Sequence, residues 1–182
     1  FVTGSFQGTA AFCATNLVTQ GGHDVFVAKY DSAGELLWLK HGGGPENDVG
    51  WAIAVDSAGG CFAAGTFFGT ATFGAATVTS HGSQDLFLVK YDRAGNLTWA
   101  KNEGGTGQEE CHALAMDKAG GLYLTGFFVG ATLLGNISLA GAGSMDVFVA
   151  KFDPSGNLLW AQRGGGTDLD MGWGVAADES GN

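Results

Sequence analysis

The sequence predicts an all-β fold, a β-propeller made of four-stranded antiparallel blades, with three blades in the chain. Three observations predict it: a gapless internal repeat, four strand-like segments in each repeat, and a composition of 33 glycines, 2 prolines and 45% hydrophobic residues. A tandem four-stranded unit with a period of roughly 40–60 residues is typical of propeller blades. Frequent glycine among many short apolar runs indicates tight turns between strands rather than a disordered linker.

The repeat is clearest in three stretches that align without a gap at a spacing of 61 residues. They read "DVFVAKYDSAGELLW" from Asp24, "DLFLVKYDRAGNLTW" from Asp85 and "DVFVAKFDPSGNLLW" from Asp146. An aspartate, a lysine and a tryptophan keep the period in every copy and are interpreted as structural positions: Asp24, Lys29, Trp38, Asp85, Lys90, Trp99, Asp146, Lys151 and Trp160.

Each repeat divides into four strands, which we call A to D. In the second copy they read "WAIAVD" from Trp51, "CFAAGTF" from Cys61, "DLFLVKYD" from Asp85 and "LTWAKN" from Leu97. Side chains alternate between two faces, as a strand requires. The short A–B and C–D turns share the pattern Asp-x-Ala/Ser-Gly, in which the aspartate caps the turn and the glycine accepts a left-handed conformation.

The combined pattern "G-x-F-x-G…G-x-x-D-x-F-x-x-K-[YF]-D-x-x-G-x-x-x-W…GG…A-x-D-x-x-G" resembles the bacterial β-propeller repeat family abbreviated SBBP. The resemblance covers the whole chain, three times over. It implies a propeller fold, a bacterial origin and an extracellular or cell-surface location. It implies no particular activity.

The repeats define one three-blade segment over residues 1–182. Residues 51–111 and 112–172 each form a repeat, and residues 1–50 form a composite blade with 173–182, which supply its strand A. Three blades do not close a ring, since propellers usually have about four to eight. We therefore expect a homo-oligomer: two copies give six blades by exchanging strands A and B, and three copies give nine. Alternatively, the chain is a piece of a longer propeller, or a preceding segment has been removed.

The charge balance and cysteine count exclude several classes of protein. A formal net charge of −10 repels a phosphate backbone, so neither nucleic acid nor an anionic membrane surface is an expected partner. No apolar run approaches the ~20 residues that span a bilayer, so membrane insertion is not expected. Three cysteines without metal-like spacing indicate neither a disulfide framework nor a metal site.

The D–A loops, which join strand D to the next strand A, carry most of the chemistry that varies between repeats. They read "GGGPENDVGW", "GGTGQEECHA" and "GGGTDLDMGW". Each places an acid three residues before a ring, and these are the candidate ligand-binding residues: Asp48 and Trp51, Glu109 and His112, Asp170 and Trp173. Strand A is the innermost strand of a blade, so the rings are predicted to line the mouth of the central channel. The B–C loops lie at the same end, and functional residues concentrate in such loops.

Three interpretations of these loops remain open. An acid beside a flat ring suits a saccharide, because carboxylates accept hydroxyl hydrogen bonds and rings stack on sugars. Acidic loops also suit calcium, which takes six to eight oxygen ligands. The third interpretation is structural: Trp51 and Trp173 pack between blades and the carboxylates are solvated. Asp24 with Lys29, and their equivalents, are interpreted as a structural ion pair or hydrogen-bond anchor between blades, and Trp38, Trp99 and Trp160 as inter-blade packing.

No catalytic motif is present in the sequence. The four histidines His23, His41, His81 and His112 occupy four different positions of the repeat, and there is neither a nucleophile elbow nor a phosphate-binding loop before a helix. We therefore expect a non-catalytic scaffold or binding module without a cofactor. The alternatives are a lectin-like carbohydrate or calcium-dependent binder and, less favoured, a propeller hydrolase or lyase acting around Glu109 and Glu110.

Overall fold

The computed structural model describes residues 1–178 and 180–182, and all the regular elements in these ranges are β-strands. No helix long and apolar enough to cross a membrane occurs in the part of the chain so described. The strands are β1 (Val2–Phe12), β2 (Thr15–Tyr30), β3 (Leu36–Gly43), β4 (Val49–Val55), β5 (Cys61–Phe67), β6 (Thr70–Phe73), β7 (Ala76–Thr79), β8 (Asp85–Tyr91), β9 (Leu97–Glu103), β10 (Glu109–Met116), β11 (Leu122–Phe128), β12 (Ala131–Leu134), β13 (Ile137–Ala140), β14 (Asp146–Phe152) and β15 (Leu158–Gly164).

Two sheets have the four-stranded form that the repeat predicts. The order β4-β5-β8-β9 forms blade 2 and the order β10-β11-β14-β15 forms blade 3, each with antiparallel neighbours. Blade 1 contains β1, β2 and β3, the equivalents of strands B, C and D. The all-β prediction and the four-stranded antiparallel units are confirmed. The described residues do not close a ring, because β1 has no strand paired along its other edge and residues 173–178 form no strand.

The long B–C connections are β-hairpins, which the sequence pattern did not predict. In blade 2 the hairpin is β6–β7, in blade 3 it is β12–β13, and in blade 1 it is the outer part of β1 and β2, from Thr9↔Val18 to Phe12↔Thr15. Strand β6 also pairs with β3 of the preceding blade through Gly42↔Phe73. Each hairpin is too short to show clear alternation, and β6–β7 ties blade 2 to blade 1.

Blades pack face to face, and the two faces of strand C bury different neighbours. One apolar cluster joins Val25 and Val27 of blade 1 to Phe87, Val89 and Tyr91 of blade 2. A second cluster joins the opposite face of blade 2 to blade 3 through residues including Phe62, Leu88, Leu124, Phe148 and Phe152. Strand C of blade 2 is therefore buried on both sides, as its continuous apolar run "LFLV" requires.

The repeated tryptophans of strand D lie on the neighbouring blade's C–D turn. Trp38 packs against Tyr91 with ring centroids 6.0 Å apart, and its indole nitrogen donates a hydrogen bond of 3.2 Å to the carbonyl of Arg93. Trp99 lies close over Gly156 in the same way. The tryptophan of one repeat thus covers the turn glycine of the next.

The tip of each B–C hairpin requires a left-handed residue. Gly74 and Gly135 adopt φ values of 58° and 54°, while Cys13 occupies the equivalent position in blade 1 with a φ of 53°. A residue with a Cβ is strained in this region, so blade 1 carries a cost that the other two blades avoid.

The hairpin tip gives a stability prediction. Gly74→Ala is expected to lower the free energy of unfolding by about 1 kcal/mol, because alanine is disfavoured at positive φ. Cys13→Ala is the matched control, since that position already carries a Cβ, and its change is expected to be much smaller. Thermal or urea unfolding measures both. If both variants lost the same free energy of unfolding, the backbone conformation at the hairpin tip would not be the cause of the loss.

Candidate functional site

A repeated backbone hydrogen bond brings the acidic D–A loop beside the start of strand C. The amide of Asp48 donates to the carbonyl of His23 at 2.7 Å. The amide of Glu109 donates to Gln84 at 2.9 Å, and that of Asp170 donates to Met145 at 3.0 Å. The residue after each acceptor is the repeated aspartate of strand C. Each repeat therefore holds two acidic side chains together, which we call the carboxylate pairs: Asp24–Asp48, Asp85–Glu109 and Asp146–Asp170.

In blade 1 both members of the carboxylate pair are fully buried. Asp24 accepts a hydrogen bond from the Gln20 amide at 3.0 Å and Asp48 accepts one from the Gly44 amide at 2.7 Å. Gly43 lies between them, and a Cβ there would be 2.7 Å from the Asp24 carboxyl and 3.0 Å from Asp48 Oδ2. Burial raises the pKa of Asp48 to about 6, and the charges of Asp24 and Glu46 add to the effect.

In blade 2 the loop acid is a glutamate, and its extra methylene changes the site. Glu109 has no hydrogen-bond partner of normal geometry among the described residues, whereas Asp48 is bonded to its own loop. Asp85 accepts a hydrogen bond from the His81 amide at 2.9 Å, and the His81 ring lies 3.3 Å from the same oxygen. Burial and the neighbouring charge of Asp85 raise the pKa of Glu109 to about 7, although Thr132 and the Gly105 amide oppose the shift.

In blade 3 an arginine neutralises the carboxylate pair. Arg163 Nη1 donates to Asp146 Oδ1 at 2.9 Å, and Asp170 accepts a hydrogen bond from the Gly166 amide at 2.7 Å. Burial opposes ionisation of Asp146, but the amides of Ala142 and Gly143 together with Arg163 hold its pKa below the ordinary value. The position of Arg163 is held by His41 in blade 1 and by Asn102 in blade 2.

The three rings predicted to line the channel meet in a row on strand A and its equivalent. His112 stacks on Trp173 with ring centroids 4.1 Å apart and planes within 10°, and it meets Trp51 edge-on at 6.1 Å. The His112 ring is also bonded to the Glu110 carboxylate at 3.1 Å and lies 3.0 Å from the Gly172 carbonyl. Trp51 is 47% exposed and Trp173 is 70% exposed, so the row presents two open indoles.

The acids and the rings do not share one surface. The Asp48 and Glu109 side chains are fully buried, while Trp51 and Trp173 are exposed. The indole nitrogen of Trp51 donates to Thr66 Oγ1 at 3.1 Å rather than approaching the Asp48 carboxylate. The structure therefore contains two separate features, the carboxylate pairs and the ring row. Glu110, which holds His112, is a ring-row residue that the repeat pattern did not single out for binding.

The repeated lysines do not contact the repeated aspartates. Lys29 donates to the carbonyls of Gly59 at 3.2 Å and Arg93 at 3.1 Å, both in blade 2, and so anchors one blade to the next. Lys90 and Lys151 instead pair with the A–B turn aspartates of their own blades: Asp56 at 3.8 Å and Asp117 at 3.2 Å. The lysine and the aspartate of each repeat therefore make different contacts and do not form the expected ion pair.

Open grooves occur at both ends of the blades. At the loop end, one groove of about 400 Å³ lies between His81, Thr106 and Leu133. At the turn end, a groove of about 520 Å³ lies between blades 2 and 3, lined by residues including Lys90 and Pro154. Among the described residues, no set of three or more His, Cys, Asp or Glu side chains is arranged to hold a metal ion.

Sequence comparison finds two distant relatives, and no protein-family model matches the chain. Over 159 residues the chain is 32% identical to the regulatory protein FlaEY of Caulobacter vibrioides, a match that covers 83% of this chain and 17% of FlaEY. Over 165 residues it is 26% identical to an uncharacterised WD repeat-containing protein of Acanthamoeba polyphaga mimivirus, covering 80% of this chain and 12% of that protein. The chain thus spans less than a fifth of either relative.

The buried carboxylate pair of blade 1 gives a pH prediction. The pKa of Asp48 is raised in the folded state, so its protonated form is favoured there and its contribution to stability falls as pH rises from about 4 to about 6. In Asp48→Asn this decrease in stability is absent, because asparagine does not ionise. We expect the stability of the variant relative to the native chain to increase between pH 4.5 and 7.5 by on the order of 1–2 kcal/mol, with solvent screening allowed for.

Urea unfolding at the two pH values measures the difference, and Asp170→Asn is the matched control. Asp170 holds the equivalent loop through the Gly166 amide but lies in the pair that Arg163 neutralises. If the difference in unfolding free energy between Asp48→Asn and the native chain did not change with pH, the raised pKa of Asp48 would be contradicted.

Proposed function

We propose that the chain is a non-catalytic β-propeller binding module whose ring is completed by a second copy of itself. The four-stranded antiparallel sheets support the propeller assignment, as does the match to a WD repeat-containing protein, since WD repeats form propeller blades. The match to a regulatory protein supports a role in binding rather than catalysis. The incomplete burial of the outer faces of blades 1 and 3 supports the second copy.

Blade 3 lacks a neighbour on one face. Strand β8 of blade 2 is buried at six of its seven residues, whereas in β14 burial alternates strictly. Val147 and Val149 are half-buried, while their equivalents Leu86 and Leu88 are 1% exposed. Trp160 is 37% exposed on the same side, where Trp38 and Trp99 are covered by the next blade.

Blade 1 lacks a neighbour on the opposite face. Phe26 and Tyr30 are half-buried, while Phe87 and Tyr91, at the same positions of blade 2, are 0% and 3% exposed. In blade 2, Phe87 and Tyr91 pack against blade 1. Phe26 and Tyr30 hold the same positions in blade 1, where no blade precedes them. The open face of blade 3 is therefore complementary to the open face of blade 1, because blades 1 and 2 already pack together through the same two surfaces.

Residues 173–178 lie where the strand A of a following blade would run. The Gly172 amide donates to the Gly126 carbonyl at 3.2 Å, and Tyr123 donates to the Gly181 carbonyl at 2.6 Å. Lys29 likewise holds the A–B turn of blade 2 through Gly59, 3.2 Å away. This placement leaves the segment available to pair with β1 of a second copy. Two such contacts related by a twofold axis give a closed ring of six blades.

Absolute mass from light scattering during size-exclusion chromatography tests the assembly. A mass near twice 18.6 kDa is expected. Trp160→Glu should shift the mass to that of a monomer, since it places a charge in the predicted interface. Leu159→Glu is the matched control, because Leu159 is 54% exposed and Leu37, its equivalent in blade 1, is also exposed despite having a neighbouring blade. A compact native monomer would overturn the proposal, and three times the chain mass would indicate nine blades.

A second candidate function, saccharide binding, is favoured by the ring row. Trp51 and Trp173 present open indole faces at the inner edge of the blades, and such faces stack on the apolar sides of sugars. His112 is covered by Trp173, so blade 2 and blade 3 do not offer equivalent pockets.

A glycan array tests this candidate with and without calcium. Binding of at least one glycan is expected, with a loss of tenfold or more in Trp51→Ala and in Trp173→Ala. Trp99→Phe is the control, since Trp99 packs against Phe62 of its own blade and Gly156 of blade 3 and lies outside the ring row. A blank array at high protein concentration, or binding unchanged in both alanine variants, would exclude the ring row as a saccharide site.

A further inference from the structure

We propose that the carboxylate pair of blade 2, Asp85 and Glu109, together with the hydroxyl of Thr132, binds one hard cation of the Ca²⁺ class. The proposal is independent of ring closure and of saccharide binding. It concerns a site inside the loop end of the blade, between strand C of blade 2, the following D–A loop and the hairpin of blade 3.

The site contains buried oxygens that lack a partner. Asp85 and Glu109 are 0% exposed and Thr132 is 2% exposed. Asp85 Oδ1, both carboxylate oxygens of Glu109 and Thr132 Oγ1 make no hydrogen bond of normal geometry to the described residues. The Thr132 hydroxyl and the Gly105 amide lie close enough to Glu109 to lower its pKa, but they leave the carboxylate without a positive partner. A buried carboxylate without a partner is costly, so such oxygens are expected to bind a positive charge.

These oxygens converge on a small volume. The position of a Cβ on Gly104 would be 2.7 Å from the Asp85 carboxyl carbon and 2.7 Å from Glu109 Oε2. Thr132 approaches the neighbouring Gly105: a Cβ on Gly105 would be 3.1 Å from the Thr132 Cα. The two carboxylates thus meet beside Gly104, where a side chain would clash with both.

Blade 3 shows that this position in the repeat takes a positive charge. There the oxygen equivalent to Asp85 Oδ1 accepts a hydrogen bond of 2.9 Å from Arg163. Blade 2 has Asn102 at the position of Arg163, and Asn102 donates instead to the Thr79 carbonyl at 3.0 Å. His81 contacts the other oxygen of Asp85, and its side chain is 64% exposed. Asp85 Oδ1 therefore lacks the guanidinium that Asp146 Oδ1 has.

The donor atoms determine the class of cation. All of the unpartnered atoms are oxygens, with two carboxylates and one hydroxyl, and this set suits Ca²⁺ rather than a metal that prefers nitrogen or sulfur. Ca²⁺ tolerates irregular geometry and completes its coordination with water and backbone carbonyls. Two carboxylates balance its charge.

The test is thermal unfolding of the full chain after EDTA treatment, with CaCl₂ added in steps. Ca²⁺ at a hundredfold excess over its dissociation constant is expected to raise Tm by roughly 5–10 °C in the native chain. Glu109→Gln should lose the rise, since it removes one ligand charge while preserving shape. Asn102→Arg should also lose the rise, and its Tm without Ca²⁺ should exceed that of the native chain, because the arginine reproduces the contact of Arg163.

Asp170→Asn is the matched control and should keep the full Ca²⁺ response, because it alters the pair that already has an arginine. Calorimetric titration should give one Ca²⁺ per chain. The proposal is wrong if up to about 10 mM Ca²⁺ leaves the native Tm unchanged, or if the rise persists in both Glu109→Gln and Asn102→Arg. Stabilisation by acid alone, with no response to Ca²⁺, would assign the pair to a shared proton and would also overturn it.

Discussion

The packing of each blade against the next is the interaction on which the rest of the structure depends. Strand C of blade 2 is apolar on both faces, and each face is buried only because a neighbouring blade covers it. A single four-stranded sheet could cover neither. The outer faces of blades 1 and 3 lack a neighbouring blade. Phe26, Tyr30 and Trp160 are therefore more exposed than their equivalents in blade 2. The proposed second copy would cover these outer faces in the same way that neighbouring blades cover each other within the chain.

The carboxylate pairs show how a repeat can keep its geometry while its chemistry varies. A backbone hydrogen bond from the loop to strand C sets the position of both acids in every blade. What differs is the compensation: Arg163 in blade 3, hydrogen bonds from the Gly44 and Phe68 amides to Asp48 in blade 1, and none of normal geometry to Glu109 in blade 2. Repeats of the same fold therefore differ in how well their buried carboxylates are compensated. A binding site is expected where the compensation is missing.

The sequence was sufficient to predict strands A to D of blades 2 and 3 and their order, because alternation and turn chemistry are local. Strands β5 and β8 begin at Cys61 and Asp85, where the repeat predicts them. The B–C hairpins were not predicted, since four-residue strands such as β6 have too short a pattern and are stabilised by pairing with another blade. The pairing of Asp24 with Asp48 was also missed: both keep the period, but only the fold shows that their side chains meet. Burial of the loop acids could not be foreseen, because it depends on the hairpin that covers them.

The most direct test of ring closure between copies is hydrogen–deuterium exchange of the native chain at protein concentrations from nanomolar to tens of micromolar. The account predicts that amides of β1 and of residues 173–178 become protected together as concentration rises, since each supplies the other's missing strand across the contact between copies. Amides in β8, which is paired on both edges within the chain, should be protected throughout. Rapid exchange of residues 173–178 at every concentration would contradict a ring closed by a second copy.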